Sequence, residues 1–247
     1  MPTGFDVWAP QFDGWRGPAD LREIEAIHEL LGGARRVLDA GGGTGRYAEP
    51  LVRLGHRLTL FDRSQPMMKE ASKKGLVSLV RGDATRLPFS NGSFDGVLFV
   101  EMLHLVNDWA RAVHEMGRVA VGPIVAVVRE RVPDHRKVYL KTRTEMGMPT
   151  GKLDEGVRAL VRMLPPLEVR EVWRTQKRVD LEEPIRSQES QAAKLGEPLF
   201  PEVARAALSK VVRKYGSTTV DQVETVEVAR WEAGAFQSFT PPPVPHR

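Results

Sequence analysis

The chain has 247 residues, of which 41% are hydrophobic and 28% charged, a composition typical of a globular protein with a sizeable core. It contains no cysteine, which excludes disulfides, thiolate metal sites and cysteine nucleophiles, and we expect no metal centre. No apolar run reaches the ~20 residues of a membrane span, and the first residues lack a secretory signal. These features predict a cytoplasmic protein without a membrane partner.

The positive charge is concentrated in one part of the chain. The formal net charge is only +4, but residues 129–178 hold thirteen basic and seven acidic residues, a local excess of +6. This stretch indicates either an ordinary solvated surface or a rim that attracts an anionic substrate or RNA.

A glycine-rich stretch at residues 37–47 (VLDAGGGTGRY) is the strongest local signal. An apolar pair, an acid, alternating glycines and a helix-compatible run predict a strand end, a tight turn and a helix start. Gly41, Gly43 and Gly45 can adopt positive φ angles and have no Cβ, so a ligand could lie against this backbone. The alternative is a tight turn without a ligand.

The spacing of this stretch distinguishes between ligands. Dinucleotide-binding folds usually show G-x-G-x-x-G, whereas here Asp39 precedes glycines at every second position. The pattern resembles motif I of the class I S-adenosylmethionine-dependent methyltransferases. The resemblance implies that Asp39 and the three glycines belong to the cofactor site, with the loop against the methionine part and ribose.

A second acid follows the next predicted strand, at residues 57–61. Asp62 comes seventeen residues after Gly45, where a carboxylate could hold a ribose diol. In the family that this chain resembles, the matching acid holds the ribose hydroxyls and residues after it touch adenine, which points to Arg63 and Met67. Asp62 could instead cap the following helix, and Met67 could be core filler.

The run at residues 82–89 (GDATRLPF) is the second match to this family. The resemblance implies that Asp83 accepts a hydrogen bond from the adenine amine and that the backbone N–H of Ala84 reaches a ring nitrogen. A carboxylate is a suitable acceptor for an amine donor. A plain turn with an aspartate is the alternative.

Two titratable residues follow the predicted fourth strand, at residues 94–100, whose apolar character suits a strand buried on both faces. The resemblance places the substrate edge just after this strand, so Glu101 is assigned to the cofactor site and His104 is the candidate catalytic residue. His104 could act as a general base, orient a substrate, or be purely structural. The chain lacks the Asn/Asp-Pro-Pro-Tyr/Phe signature of enzymes that methylate base or glutamine amino groups, which counts against those substrates.

The alternation of elements predicts an α/β fold: a Rossmann-like, seven-stranded, mostly parallel sheet with helices on both faces and an antiparallel last strand. The resemblance is specific over residues 37–128. We predict a single domain over residues 1–247, divided into an N-terminal lid and helix (1–35), a cofactor-binding core (36–130), helical cap insertions (131–166 and 181–215) and closing strands (167–180 and 220–236). The aromatic-rich first seventeen residues either pack on the core or form the lid.

The resemblance implies transfer of a methyl group from S-adenosylmethionine to a small-molecule acceptor by in-line displacement, as in quinone-biosynthesis methylases. A tRNA methyltransferase of the wobble-uridine type and a non-catalytic S-adenosylmethionine-binding protein remain alternatives. A nicotinamide-dependent oxidoreductase is disfavoured because the chain has no Tyr-x-x-x-Lys. The sequence carries no signal of oligomeric state.

Overall fold

The computed structural model describes residues 4–147, 156–187 and 201–240. These residues divide into two compact units. The first unit contains residues 4–128, 156–172 and 227–240, and the second contains residues 129–147, 173–187 and 201–226.

Strands and helices alternate along most of the chain. The strands are β1 Arg36–Ala40, β2 Arg57–Asp62, β3 Leu79–Arg81, β4 Gly96–Val100, β5 Pro123–Val132, β6 Glu168–Asp180 and β7 Thr219–Glu232. The helices with both ends described are α1 Gly4–Arg16, α2 Leu21–Leu31, α3 Ala48–Arg53, α4 Gln65–Lys73, α5 Trp109–Val119, α6 His135–Glu145, α7 Val157–Met163, α8 Pro201–Tyr215 and α9 Ala233–Ser238. Residues 182–187 are also helical, and Leu103–Leu105 form a 3₁₀ turn.

The seven strands form one sheet in the order β3-β2-β1-β4-β5-β7-β6. The first five are parallel, so the carboxyl ends of β1, β2 and β4 lie at the same edge. Strand β7 is antiparallel to its neighbours, because Leu167 N–H donates to Arg230 O while Leu181 N–H donates to Thr218 O. The predicted mostly parallel sheet with an antiparallel last strand is confirmed.

The core of the first unit lies around β1 and β4, whose apolar runs are buried on both faces. Trp231 stacks on Phe99 with ring centroids 6.4 Å apart and meets Phe236 edge to face at 5.6 Å. The indole N–H of Trp231 donates to Leu164 O at 2.8 Å, so burial leaves no unpaired donor on this ring.

The second unit has its own hydrophobic cluster. Tyr139 of α6, Ile185 of the 182–187 helix, and Val203 and Ala207 of α8 are all buried in it. The side-chain amide of Gln222 donates to Pro133 O at 2.7 Å, and Glu224, 8% exposed, pairs with Arg131 at 2.5 Å. This unit contains most of the basic stretch that the sequence shows after residue 128.

Several predicted boundaries differ from the structure. The closing strand predicted over 220–236 ends at Glu232, because residues 233–238 turn into α9 and place Phe236 against Gly117 of α5. A Cβ on Gly117 would lie 2.8 Å from Phe236 Cβ, so this approach requires glycine. The aromatic N-terminal segment contains a helix, α1. The predicted cap elements within 148–155 and 188–200 lie outside the described residues, and the division into lid, core, cap and closing strands stays a prediction.

Candidate active site

A cavity of about 530 Å³ opens at the carboxyl ends of β1, β2 and β4 and beside the loop after β3. Ten of the eleven residues predicted for the site line it: Asp39, Gly41, Gly43, Asp62, Arg63, Met67, Asp83, Ala84, Glu101 and His104. The remaining residue, Gly45, does not line the cavity. The sequence pattern and the parallel sheet therefore bring almost all the predicted residues to one place.

Three glycines of the loop, Gly41, Gly43 and Gly45, have positive φ angles but different surroundings. A Cβ on Gly41 would lie 2.6 Å from Met102 Cβ, so this glycine permits close packing of the loop on the segment after β4. A Cβ on Gly43 would meet no atom within 4 Å, so it would extend into open space at the cavity wall. A Cβ on Gly45 would overlap Leu76, so packing and backbone conformation together account for this glycine without a ligand.

Asp62 is held at the end of β2 by the backbone. Its Oδ2 accepts the N–H of Gly43 at 2.9 Å and its Oδ1 accepts the N–H of Ser64 at 2.8 Å. Burial raises the pKa of Asp62, and these hydrogen bonds oppose the rise. A carboxylate has about four acceptor sites, so the group can still accept a hydrogen bond from a ligand in the cavity.

Asp39 is the most buried carboxyl of the site, at 2% exposure. Burial, followed by repulsion from Asp62, raises its pKa to about 7. A Cβ on Gly42 would lie 2.5 Å from Asp39 Oδ2, so this carboxyl lies directly against the glycine loop. Its position beneath the loop indicates a supporting role.

Asp83 follows β3 in an exposed turn. Its Oδ1 accepts both the backbone N–H and the hydroxyl of Thr85 at 2.9 Å. These two hydrogen bonds lower the pKa of Asp83, with smaller contributions from the positive charges of Arg63 and Arg111. The carboxylate is therefore ionised at neutral pH, with Oδ1 fixed by Thr85.

Glu101 has a left-handed backbone conformation, with φ at 51°. It is the first residue after β4 and forms an ion pair with Arg16 at the end of α1. Both side chains line the cavity. A positive φ in a glutamate costs free energy, and such residues cluster at functional sites.

His104 lies in the 3₁₀ turn Leu103–Leu105 and lines the cavity. Its main chain packs on Gly156, the residue before α7, where an added Cβ would lie 3.1 Å from the His104 nitrogen. The structure thus places His104 at the cavity wall close to Glu101, and its catalytic role stays a prediction.

Helix α1 contributes an aromatic residue of the predicted arm, Phe12, and polar residues that the sequence does not reveal. Phe12 and Arg16 line the cavity. Asp13 accepts the hydroxyl hydrogen of Thr44, in the glycine loop, at 2.5 Å, and Asp6 accepts that of Ser64 at 2.5 Å. The aromatic residues of this segment predicted a packed or covering arm, but these polar contacts carried no recognisable sequence signal.

Residues 38–121 match the family model of a methyltransferase domain. Over these residues the chain is similar to a methyltransferase domain. This domain is similar to the demethylmenaquinone methyltransferase of Renibacterium salmoninarum, 33% identical over 122 residues that cover 47% of this chain and 52% of the relative. It is also similar to the demethylmenaquinone methyltransferase of Roseiflexus, 38% identical over 143 residues that cover 53% and 60%.

The likeness to these relatives is partial, since the chain spans roughly half of their length. A solved structure of a proposed methyltransferase from Bacillus halodurans shares the fold, with a TM-score of 0.56 and 16% identity over 87% of this chain and 99% of that one. Within the described ranges, no helix of this protein is long and apolar enough to cross a membrane.

Proposed function

We propose that this protein transfers a methyl group from S-adenosylmethionine to a small-molecule acceptor. The observation that carries the proposal is the order of the groups along one sheet edge: Asp83 after β3, Asp62 after β2, the glycine loop after β1 and Glu101 after β4, all around one cavity. This order matches the adenine, ribose and methionine parts of an extended nucleoside cofactor. The methyltransferase domain over residues 38–121 supports the same interpretation.

The residues present fit this cofactor. Asp62 presents its carboxylate at the cavity, and backbone N–H groups fix its orientation toward the ribose hydroxyls that we assign to it. Thr85 bonds Oδ1 of Asp83, and we assign Oδ2 to an adenine amine. Gly43 would present bare backbone to the ligand, since its missing Cβ opens onto free space.

S-adenosylmethionine supplies a methyl group on a positively charged sulfur, which keeps the electron pair of the broken carbon–sulfur bond. The protein then needs mainly to align the acceptor with this methyl and exclude water. Glu101 and His104 line the cavity at the β4 end, where the acceptor would enter. We assign His104 as the general base: one of its ring nitrogens takes up the proton that the hydroxyl of the methyl acceptor loses.

The relatives named demethylmenaquinone methyltransferase support a quinone, in its reduced form with ring hydroxyls, as the first acceptor class to test. An ionisable ring hydroxyl is already a competent nucleophile and requires little help from a base. The basic stretch of residues 129–178 keeps tRNA as an alternative acceptor, and a non-catalytic binding protein is the other alternative.

Calorimetric titration with S-adenosylhomocysteine, with NADH as the control, tests the proposal. We expect binding of S-adenosylhomocysteine alone. Turnover is then measured with S-adenosylmethionine carrying a labelled methyl group, hydroxyquinones in one arm and tRNA in another. Label in the quinone supports the proposal. Label only in tRNA indicates a tRNA methyltransferase instead, and binding without methyl transfer in either arm favours a non-catalytic binding protein. Binding of NADH instead would overturn it.

A further inference from the structure

Arg46 has few hydrogen bonds for a guanidinium in a cavity wall. It lines the cavity just after the glycine loop. Its Nη2 makes one long hydrogen bond, 3.4 Å to Pro18 O, and its Nε is buried without a partner among the described residues. Arg118, by comparison, donates to five acceptor atoms of Glu115, Phe89, Asn91 and Leu87. Since a guanidinium carries five N–H donors, Arg46 retains capacity for an anionic ligand.

The position of Arg46 places it near the β4 end of the site. Pro18, its backbone partner, comes two residues after Arg16, and Arg16 pairs with Glu101 directly after β4. At the opposite end, Arg63 follows β2 and acts electrostatically on both Asp62 and Asp83. Arg46 therefore lies toward the end at which the proposed function places the amino-acid part of the cofactor.

The neighbouring residue holds Arg46 in place. The Cζ of Arg46 lies 5.4 Å from the ring centroid of Tyr47, within cation–π range. The Tyr47 hydroxyl donates to Oε2 of Glu23 at 2.7 Å, and Glu23 is only 1% exposed. This buried bond fixes the ring against which the guanidinium lies, so little side-chain entropy remains to be lost when Arg46 binds a ligand.

The other charged residues of the cavity indicate which group of the ligand Arg46 binds. The carboxylates of Asp62, Asp83 and Glu101 suit the hydroxyl, amine and cationic groups of the cofactor. Of the three arginines that line the cavity in the described part of the chain, Arg16 is paired with Glu101 and Arg63 lies at the nucleoside end. We propose that Arg46 binds the carboxylate of the cofactor's amino-acid part, a role that rests on the proposed function. The planar guanidinium can meet a carboxylate with two parallel hydrogen bonds.

The test compares two ligands that differ in the amino-acid part. S-adenosylhomocysteine carries the carboxylate, whereas 5′-methylthioadenosine keeps the adenosine and thioether without any amino acid. For Arg46→Met we expect the Kd of S-adenosylhomocysteine to rise on the order of 10- to 100-fold, the range of a lost charged hydrogen bond, while the Kd of 5′-methylthioadenosine changes less than about twofold. Both are measured by calorimetry.

Two further variants sharpen the comparison. Arg53→Met removes an arginine from the same segment of chain, where its side chain is 76% exposed, and should leave both affinities unchanged. Arg46→Lys keeps the charge without the planar fork and should recover part of the affinity for S-adenosylhomocysteine. Unchanged affinity for both ligands in Arg46→Met, or an equal loss for both, overturns the assignment of Arg46. If the unaltered protein binds neither ligand, the proposed function itself fails.

Discussion

Asp39 is a carboxyl whose protonation couples pH to stability. Its pKa is about 7 in the folded protein, against 3.8 for an ordinary aspartate in water, so the folded state binds the proton more tightly than the unfolded chain. The stability that this carboxyl contributes is present below pH 3.8 and is lost as the pH rises toward 7. We expect Asp39→Asn, which is neutral at every pH, to become increasingly stable relative to the unaltered protein over this range. The difference of about three units between the folded and unfolded pKa values of Asp39 sets an upper bound of roughly 4 kcal/mol on this change in stability.

Urea unfolding at pH 5 and pH 8 measures this effect. Asp221→Asn, on the exposed side of β7, serves as the control and should show no such change between the two pH values. A stability difference between Asp39→Asn and the unaltered protein that stays constant with pH would contradict the coupling.

Asp62 is the residue whose loss should weaken cofactor binding most directly. Asp62→Ala removes a charged acceptor from the cavity wall and leaves the N–H groups of Gly43 and Ser64 without their partner. We expect the free energy of binding S-adenosylhomocysteine to become less favourable by about 1.5–3 kcal/mol. Calorimetry measures the change, with Asp221→Ala as the matched control. An unaltered affinity in a folded Asp62→Ala protein would show that the ribose assignment is wrong.

At the scale of elements, α1 is held over the glycine loop by polar contacts. Asp13 bonds Thr44 and forms an ion pair with Lys74, while Asp6 bonds Ser64. We expect Asp13→Ala to loosen α1 and to give faster amide exchange in residues 4–16. Release of S-adenosylhomocysteine should become roughly fivefold faster, because the lost hydrogen bond contributes about 1 kcal/mol. Hydrogen exchange and stopped-flow dissociation measure the two effects. The control is Glu182→Ala, which breaks an exposed ion pair with Arg186 and should change neither the exchange rate nor the release rate. An unchanged release rate in Asp13→Ala would refute a covering role for α1.

At the scale of the whole molecule, the described residues that line the cavity all belong to the first compact unit, between Phe12 and Asp108. S-adenosylhomocysteine at 100 times its Kd should stabilise the protein by about 2.7 kcal/mol and raise Tm by roughly 5–10 °C. Hydrogen exchange should show local protection at the glycine loop and the ends of β2 and β4. A scan without a Tm shift, or an equal shift with NADH, would be incompatible with the proposed site.

The sequence predicts the sheet and most of the site because both depend on local patterns. Asp62 and Asp83 could be placed because each follows an apolar strand, and parallel strands end at one edge. The contacts of Asp13 with Thr44 and of Arg16 with Glu101 join residues far apart in sequence without any periodic signal. The turn after Glu232 depends likewise on the approach of Phe236 to Gly117, which no local pattern encodes.

The left-handed backbone of Glu101 sets stability and function in opposition. Among the described residues it is the one non-glycine with positive φ. A design method that optimises folding free energy would choose glycine here and gain about 1 kcal/mol from relieved strain. The same change would remove the carboxylate that pairs with Arg16. Thermostabilised versions of this protein should therefore keep Glu101 fixed and seek their gains at positions remote from the cavity.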